Sequence, residues 1–220
     1  MAETTAQPGL TPEAEEAGFY HEAGLNASWT GIRLALGGLS FLFGCFAFAY
    51  FYLRSLNSNH MWHPAGFKGP QPWAGAVFMA LVVVAALLQN IGLARIKAGA
   101  KGAWMGTGWL ALLLGLVAMV VQGWQLANLP FFPASAGFAS VFVGYTPVYL
   151  AVLFGALVWL ETLLMRARAI PTISFVEQPP TYAEAFAVQR FQASLSACTV
   201  LLNYIAVIAI FFWVLFYLAP

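Results

Sequence analysis

His60 and His63 stand three residues apart, a spacing that puts two imidazoles on one face of a helix, where such pairs bind metal ions. The surroundings argue against a site. Pro64 follows directly, Asn57, Ser58 and Asn59 precede the pair, and no carboxylate or thiol is close by in sequence. The pair is expected in a surface loop. His21, the remaining histidine, lies in another polar segment. Cys45 and Cys198 are far apart and both fall in apolar stretches, so neither a disulfide framework nor a CxxC metal site is on offer. Two small buried hydrophobes are the expectation for them. A buried haem or copper centre needs imidazole or thiolate ligands, so no cofactor or metal centre and no catalytic group are expected in this chain. Glu161 is the one carboxylate inside an apolar segment, where an acid is a functional hypothesis by default. It precedes Arg166 by only five residues, roughly 7 Å of helix rise. The expectation is therefore an ion pair or lipid-headgroup contact among Glu161, Arg166 and Arg168, not a proton relay.

The elements that carry these residues are set by hydropathy. Of 220 residues, 61% are hydrophobic and 8% charged, there is no Asp, and the net charge is +1. A soluble domain carries roughly 25% charged residues. The chain reads as an all-α polytopic membrane protein, a bundle of five transmembrane helices spanning about 32–53, 73–94, 104–126, 139–165 and 193–218. These spans occupy a domain of residues 31–220, after an N-terminal tail of residues 1–30. Barrel strands are excluded by runs such as Leu81 to Leu88, which are apolar all round. The small net charge recruits no nucleic acid.

Arg33, Arg95, Lys97, Lys101, Arg166, Arg168 and Arg190 share one side of the predicted bundle, and only Arg54 and Lys68 take the other. Seven against two places the N-terminus in the cytoplasm and the C-terminus outside. Tryptophans 29, 62, 73, 104, 124 and 213 fall near span ends, as an interfacial belt requires. Residues 182–186 are expected to form a short amphipathic turn on the membrane. No internal repeat supports a transporter of the inverted-repeat kind.

In the first span, Gly37, Ser40, Gly44 and Ala47 follow at spacings of three, four and three, which puts small residues on one helix face where another backbone can approach. That face is either a packing seam within this chain or a docking face for a partner. Gln89, Asn90, Gln122, Gln125 and Asn203 are amides in or near the spans, expected in interhelical hydrogen bonds.

Several local patterns together resemble subunit III of the haem-copper cytochrome c and quinol oxidases, in its five-helix form. The first span ends in an aromatic, Ala-rich stretch from Phe43 to Tyr52 and then Arg54, like the family's first helix. Trp62-His63-Pro64-Ala65-Gly66 is similar to the family's Trp-Pro-Pro-x-Gly, and Leu114-Gly115 with Gln122-Gly123-Trp124-Gln125 is close to its Leu-Gly…Gln-x-x-Glu. The run from Gly137 to Thr146 and the triplet Phe191-Gln192-Ala193 stand where the family opens its last two helices. The family's polar groups are missing: Leu39 takes the place of a buried acid, Gln125 and Gln192 replace Glu, Tyr149 and Val152 replace a histidine pair, and the last helix matches neither the family's His nor its Asp. Proton-uptake roles are therefore not carried over. The resemblance implies an accessory subunit free of redox centres that packs on subunit I, beside subunit II and other subunits of the respiratory complex, and holds phospholipid. Haem and copper would lie in those partners. The alternatives are a similar component of a nitric oxide reductase or another quinol-oxidising complex, and a small transporter. A transporter would need polar residues lining a pore at mid-depth, where only amides and Thr146, Thr199 and Asn203 are available.

Overall fold

Each apolar segment becomes one long helix in the computed structural model, which describes residues 12–57, 60–171 and 182–219. These are α1 (Pro12–Ser55), α2 (Pro72–Lys97), α3 (Lys101–Ala127), α4 (Gly137–Ala169) and α5 (Tyr182–Trp213). No strand occurs among the described residues, and all five helices are long and apolar enough to cross a membrane. The fold is a five-helix membrane bundle.

Two predicted boundaries move. α1 starts at Pro12, so residues 12–30 of the expected tail are helix. Residues 182–186, expected as a separate amphipathic turn, are instead the first turns of α5. In both places hydropathy ends before the helix does, because Ala and Glu favour a helix without favouring lipid. Residues 1–11 and 172–181 lie outside the described residues.

Helix ends are set locally. Pro72 opens α2 after an extended Gln71, as its missing N–H and fixed φ allow. Gly99 at φ 80° makes the tight turn into α3, with Gly99 N donating to Ile96 O (3.0 Å) and Ala100 N to Arg95 O (2.9 Å). Buried Lys101 at the start of α3 donates through Nζ to the carbonyl of Ile170, placing a cation at the C-terminal end of α4 where the helix dipole favours one.

α3 presents a small-residue face to the core. Gly108, Ala111, Gly115 and Ala118 repeat at three, four and three and are all buried. A Cβ at Gly108 would lie 2.8 Å from Leu164 Cδ2, and one at Gly115 would lie 2.5 Å from Leu157 Cδ2, so α4 leucines seat in glycine notches. On the α2 side, Gly92 receives Trp104 and Thr107. Lipid is as apolar as leucine, so this close packing, not burial from water, holds the helices together. Between α2 and α5, Asn90 and Asn203 exchange two hydrogen bonds of 2.6 and 3.1 Å.

The topology gathers the seven basic residues named above at one end of the bundle, hereafter the basic end. The opposite, aromatic end is filled by Phe138, Phe142, Tyr145, Phe212 and Phe216, with Tyr145 and Phe212 stacked at 4.0 Å. The α1–α2 loop folds over this end. Trp62 stands edge-on to buried Tyr50 at 4.9 Å, its amide donates to Asn57 Oδ1 (2.9 Å), and Met61 O accepts from Gly137 N (3.0 Å).

Candidate functional site

Among the five helices, α1 is the least enclosed by its own chain. In its most apolar stretch 11% of residues are buried, against 33–50% in the other helices. It packs chiefly on α4 and α5 along one line: Ile32, Phe43 and Tyr50 are buried, and Phe43 lies against Tyr145, Tyr149 and Phe212. At the aromatic end the Tyr50 hydroxyl reaches Leu215 O (2.8 Å) and the carbonyl of Ala219, which also accepts from Arg54 Nη1 (2.8 Å). Those carbonyls end α5 in a five-residue π-helical stretch, Val214–Leu218.

The small-residue stripe lies away from this line. Gly37, Ser40 and Gly44 are exposed, Ala47 is half-buried, and a Cβ at Gly37 or Gly44 would meet nothing within 4 Å. The alternative in which the stripe is a seam within this chain is therefore corrected for Gly37, Ser40 and Gly44. Their face is open, with exposed Phe41, Phe48 and Phe51 beside it.

At the basic end, α1, α4 and α5 line an open pocket of about 550 Å³. Arg166 and Arg190 line it with Ser28 and Ser194, over an apolar floor that includes Leu163 and Phe191. Neither arginine has an ion-pair partner among the described residues. Two guanidiniums and two hydroxyls above an apolar wall suit a phosphate group carrying acyl chains. Arg168 does not join them. Its guanidinium lies 5.4 Å from the centre of the Trp109 ring. Glu161 is exposed and pairs with neither arginine, which corrects the expected ion pair. Five residues of helix turn Arg166 about 140° away from it, and Arg168 is engaged by Trp109.

The chain matches no protein-family model and no curated protein.

The histidine pair does not form a helical metal site. His60 is exposed at φ 55°, in the left-handed region, so the loop is not helical there. His63 stacks on Phe67 (5.2 Å) and tilts against Phe138 (5.0 Å). Burial, and then the charge of Arg54, hold its imidazole below the ordinary value. No group of three or more His, Cys, Asp or Glu side chains converges among the described residues. Cys198 is buried as expected, but Cys45 is exposed on the open side of α1.

The amides divide. Asn90 and Asn203 bond each other, while Gln125 accepts from the Tyr217 hydroxyl (3.1 Å) and donates to Gln71 O (2.8 Å). Gln89 is wholly buried with neither end of its amide bonded, and Gln122 Oε1 also lacks a partner. Sequence reasoning missed Arg190 as a companion of Arg166, because a chain separation of 24 residues hides a shared pocket formed only when α4 and α5 pack. It also passed over the α3 glycines, whose spacing repeats that of α1.

Proposed function

We propose that this chain is an accessory subunit, free of redox centres, of a respiratory haem-copper terminal oxidase, of the subunit III kind. Its α1 face docks on the catalytic subunit I, beside subunit II and the other subunits. The observation that carries the reading is the open face of α1. Small residues at close-approach spacing face outward from the helix least covered by its own chain. Lipid alone requires no glycine at such positions, whereas a second helix does. The local likeness of the Phe43–Arg54 segment to the family's first helix falls on this same element. Oxygen reduction takes place in the partner, which carries haem and copper, while this chain keeps that partner packed. The pocket of Arg166 and Arg190 holds a phospholipid headgroup. The seven basic residues favour a cytoplasmic position for this end, and the oxidase reading makes the membrane a bacterial plasma membrane.

The test is purification of the tagged chain from its own membrane in mild detergent, with haem and copper measured per chain. Wild type should bring a haem-containing subunit I and a copper-carrying subunit II. A Cβ at Gly44 meets nothing of its own chain within 4 Å and the position is exposed, so Gly44→Leu is directed at a docked partner. Overpacking of about 1–3 kcal/mol weakens such a contact roughly five- to 150-fold. Gly38→Leu, exposed on another side of α1, should retain the partner. Equal retention by both variants would refute docking through the stripe. Recovery of a nitric oxide reductase, another quinol-oxidising complex or no partner at all would refute the oxidase assignment.

A further inference from the structure

Near the aromatic end, α2 to α5 surround a cavity of about 20 Å³ lined by Gln122, Tyr145, Thr146 and Trp213 among aromatic rings. Gln122 is 5% exposed and its Oε1 has no hydrogen-bond donor. Trp213 Nε1, an obligate donor, is also buried without an acceptor. Gln122 of α3 and Trp213 of α5 thus both line one small space, and the acceptor of the one and the donor of the other have no partner among the described residues. The Tyr145 hydroxyl bonds to nothing among the described residues. The Thr146 hydroxyl donates to Phe142 O (2.8 Å) and keeps its lone pairs free to accept. Buried polar groups in a membrane are almost always satisfied, because no solvent reaches them.

We propose that this cavity is a binding site for a single water molecule, which donates to Gln122 Oε1 and accepts from Trp213 Nε1. Size and chemistry agree on the ligand. A bound water needs about 10–15 Å³ of such space and two to four polar partners. The cavity has room for one such molecule and provides both a donor and an acceptor. An apolar gas or a lipid methyl would leave both groups unpaired. A cation would find no carboxylate in the lining.

A route in follows from the residues that two spaces share. Phe216 and Tyr217 line this cavity and also a larger groove of about 450 Å³ at the aromatic end, beside His63 and Phe138. They are the wall between the two spaces. Tyr217 is held in place through Gln125, which is itself tied to the backbone of Gln71. Water exchanging between groove and cavity passes this side chain, so exchange is slow while the Tyr217–Gln125 bond is intact.

The experiment uses the full chain in lipid bilayers, with ¹⁵N-labelled indoles observed by proton-detected solid-state NMR and magnetisation transferred from water. Trp213→Phe assigns the resonance. The Trp213 indole proton should receive magnetisation from water, and Gln122→Leu should reduce that transfer severalfold by removing the second anchor. Trp104 is the internal control. Its Nε1 is also buried and unpartnered, but it does not line this cavity and should receive none. Tyr217→Ala should speed exchange at Trp213 and leave the site occupied. Absence of transfer to Trp213 in the wild-type chain would overturn the proposal without any variant. Undiminished transfer in a folded Gln122→Leu chain would overturn it as well.

Discussion

Gly115→Ala tests whether close packing of α3 on α4 supplies the stability of the bundle. The added Cβ would lie 2.5 Å from Leu157 Cδ2, 3.0 Å from Cδ1 and 3.3 Å from Cγ. Reaching ordinary contact requires a shift of about 1 Å, and Leu157 is itself buried among the core side chains. Such overpacking costs about 1–3 kcal/mol. Replacing Gly by Ala in a helix returns about 1 kcal/mol, so the raw effect understates the clash. Gly123→Ala, also in α3 but with nothing within 4 Å of the new methyl, cancels that term. The two variants should differ by about 1–3 kcal/mol, with Gly115→Ala the less stable. Reversible unfolding of the purified chain in mixed micelles of increasing SDS fraction, followed by tryptophan emission and circular dichroism, measures this. A double variant adds specificity. Leu157→Ala alone opens a cavity at a cost of about 2–5 kcal/mol, but with Gly115→Ala the new methyl enters that space. The pair should be less damaging than the sum by about 0.5–3 kcal/mol. If Gly115→Ala proves as stable as Gly123→Ala, or the double variant is strictly additive, the notch between α3 and α4 contributes nothing and the reasoning fails.

Asn90→Ala and Asn203→Ala should show a coupling of roughly 0.6–2 kcal/mol in a double-mutant cycle of the same unfolding assay, since they exchange two hydrogen bonds; zero coupling would mean that each amide finds another partner. His63 gives the α1–α2 loop a pH dependence. Its folded pKa lies below the ordinary value of about 6.5, so as pH falls through that value the displaced loop takes up a proton while the seated imidazole stays neutral. Hydrogen-exchange protection of amides such as Phe67 N, which donates to Pro64 O, should be flat above that pH and decline below it, and His63→Phe should remove the decline. Protection that rises on acidification would contradict the assigned cause.

What could be read in the sequence divides along physical lines. Hydropathy located five helices to within a few residues at most ends, because twenty consecutive apolar residues have few alternatives in lipid. It failed at Pro12 and Tyr182, where a helix continues through polar residues. Proline at the first helical position and acids nearby signal a helix start at Pro12, but hydropathy does not register them. The stripe from Gly37 to Ala47 was visible as a pattern, yet the sequence cannot say what a helix face meets. The same three-four-three spacing is buried on α3 and open on α1. Glu161 and Arg166 looked like partners through proximity in sequence, whereas helix geometry turns them apart and packing brings Arg190 beside Arg166.

The latch of α1 has a consequence in time. Its buried line rests on α4 and α5, and its end is fastened to Leu215 and Ala219, which are translated after the other four helices. Some 160 residues separate the two halves of that fastening. At roughly 5–20 residues per second, α1 waits in the bilayer for on the order of 10–30 s before α5 can fasten its end. Throughout that interval its glycine face and the part of its aromatic line that α5 covers stay open, while α4 can already pack against the rest. The order of synthesis thus leaves α1 free to adjust against the rest of the bundle until α5 closes on it and fixes its place.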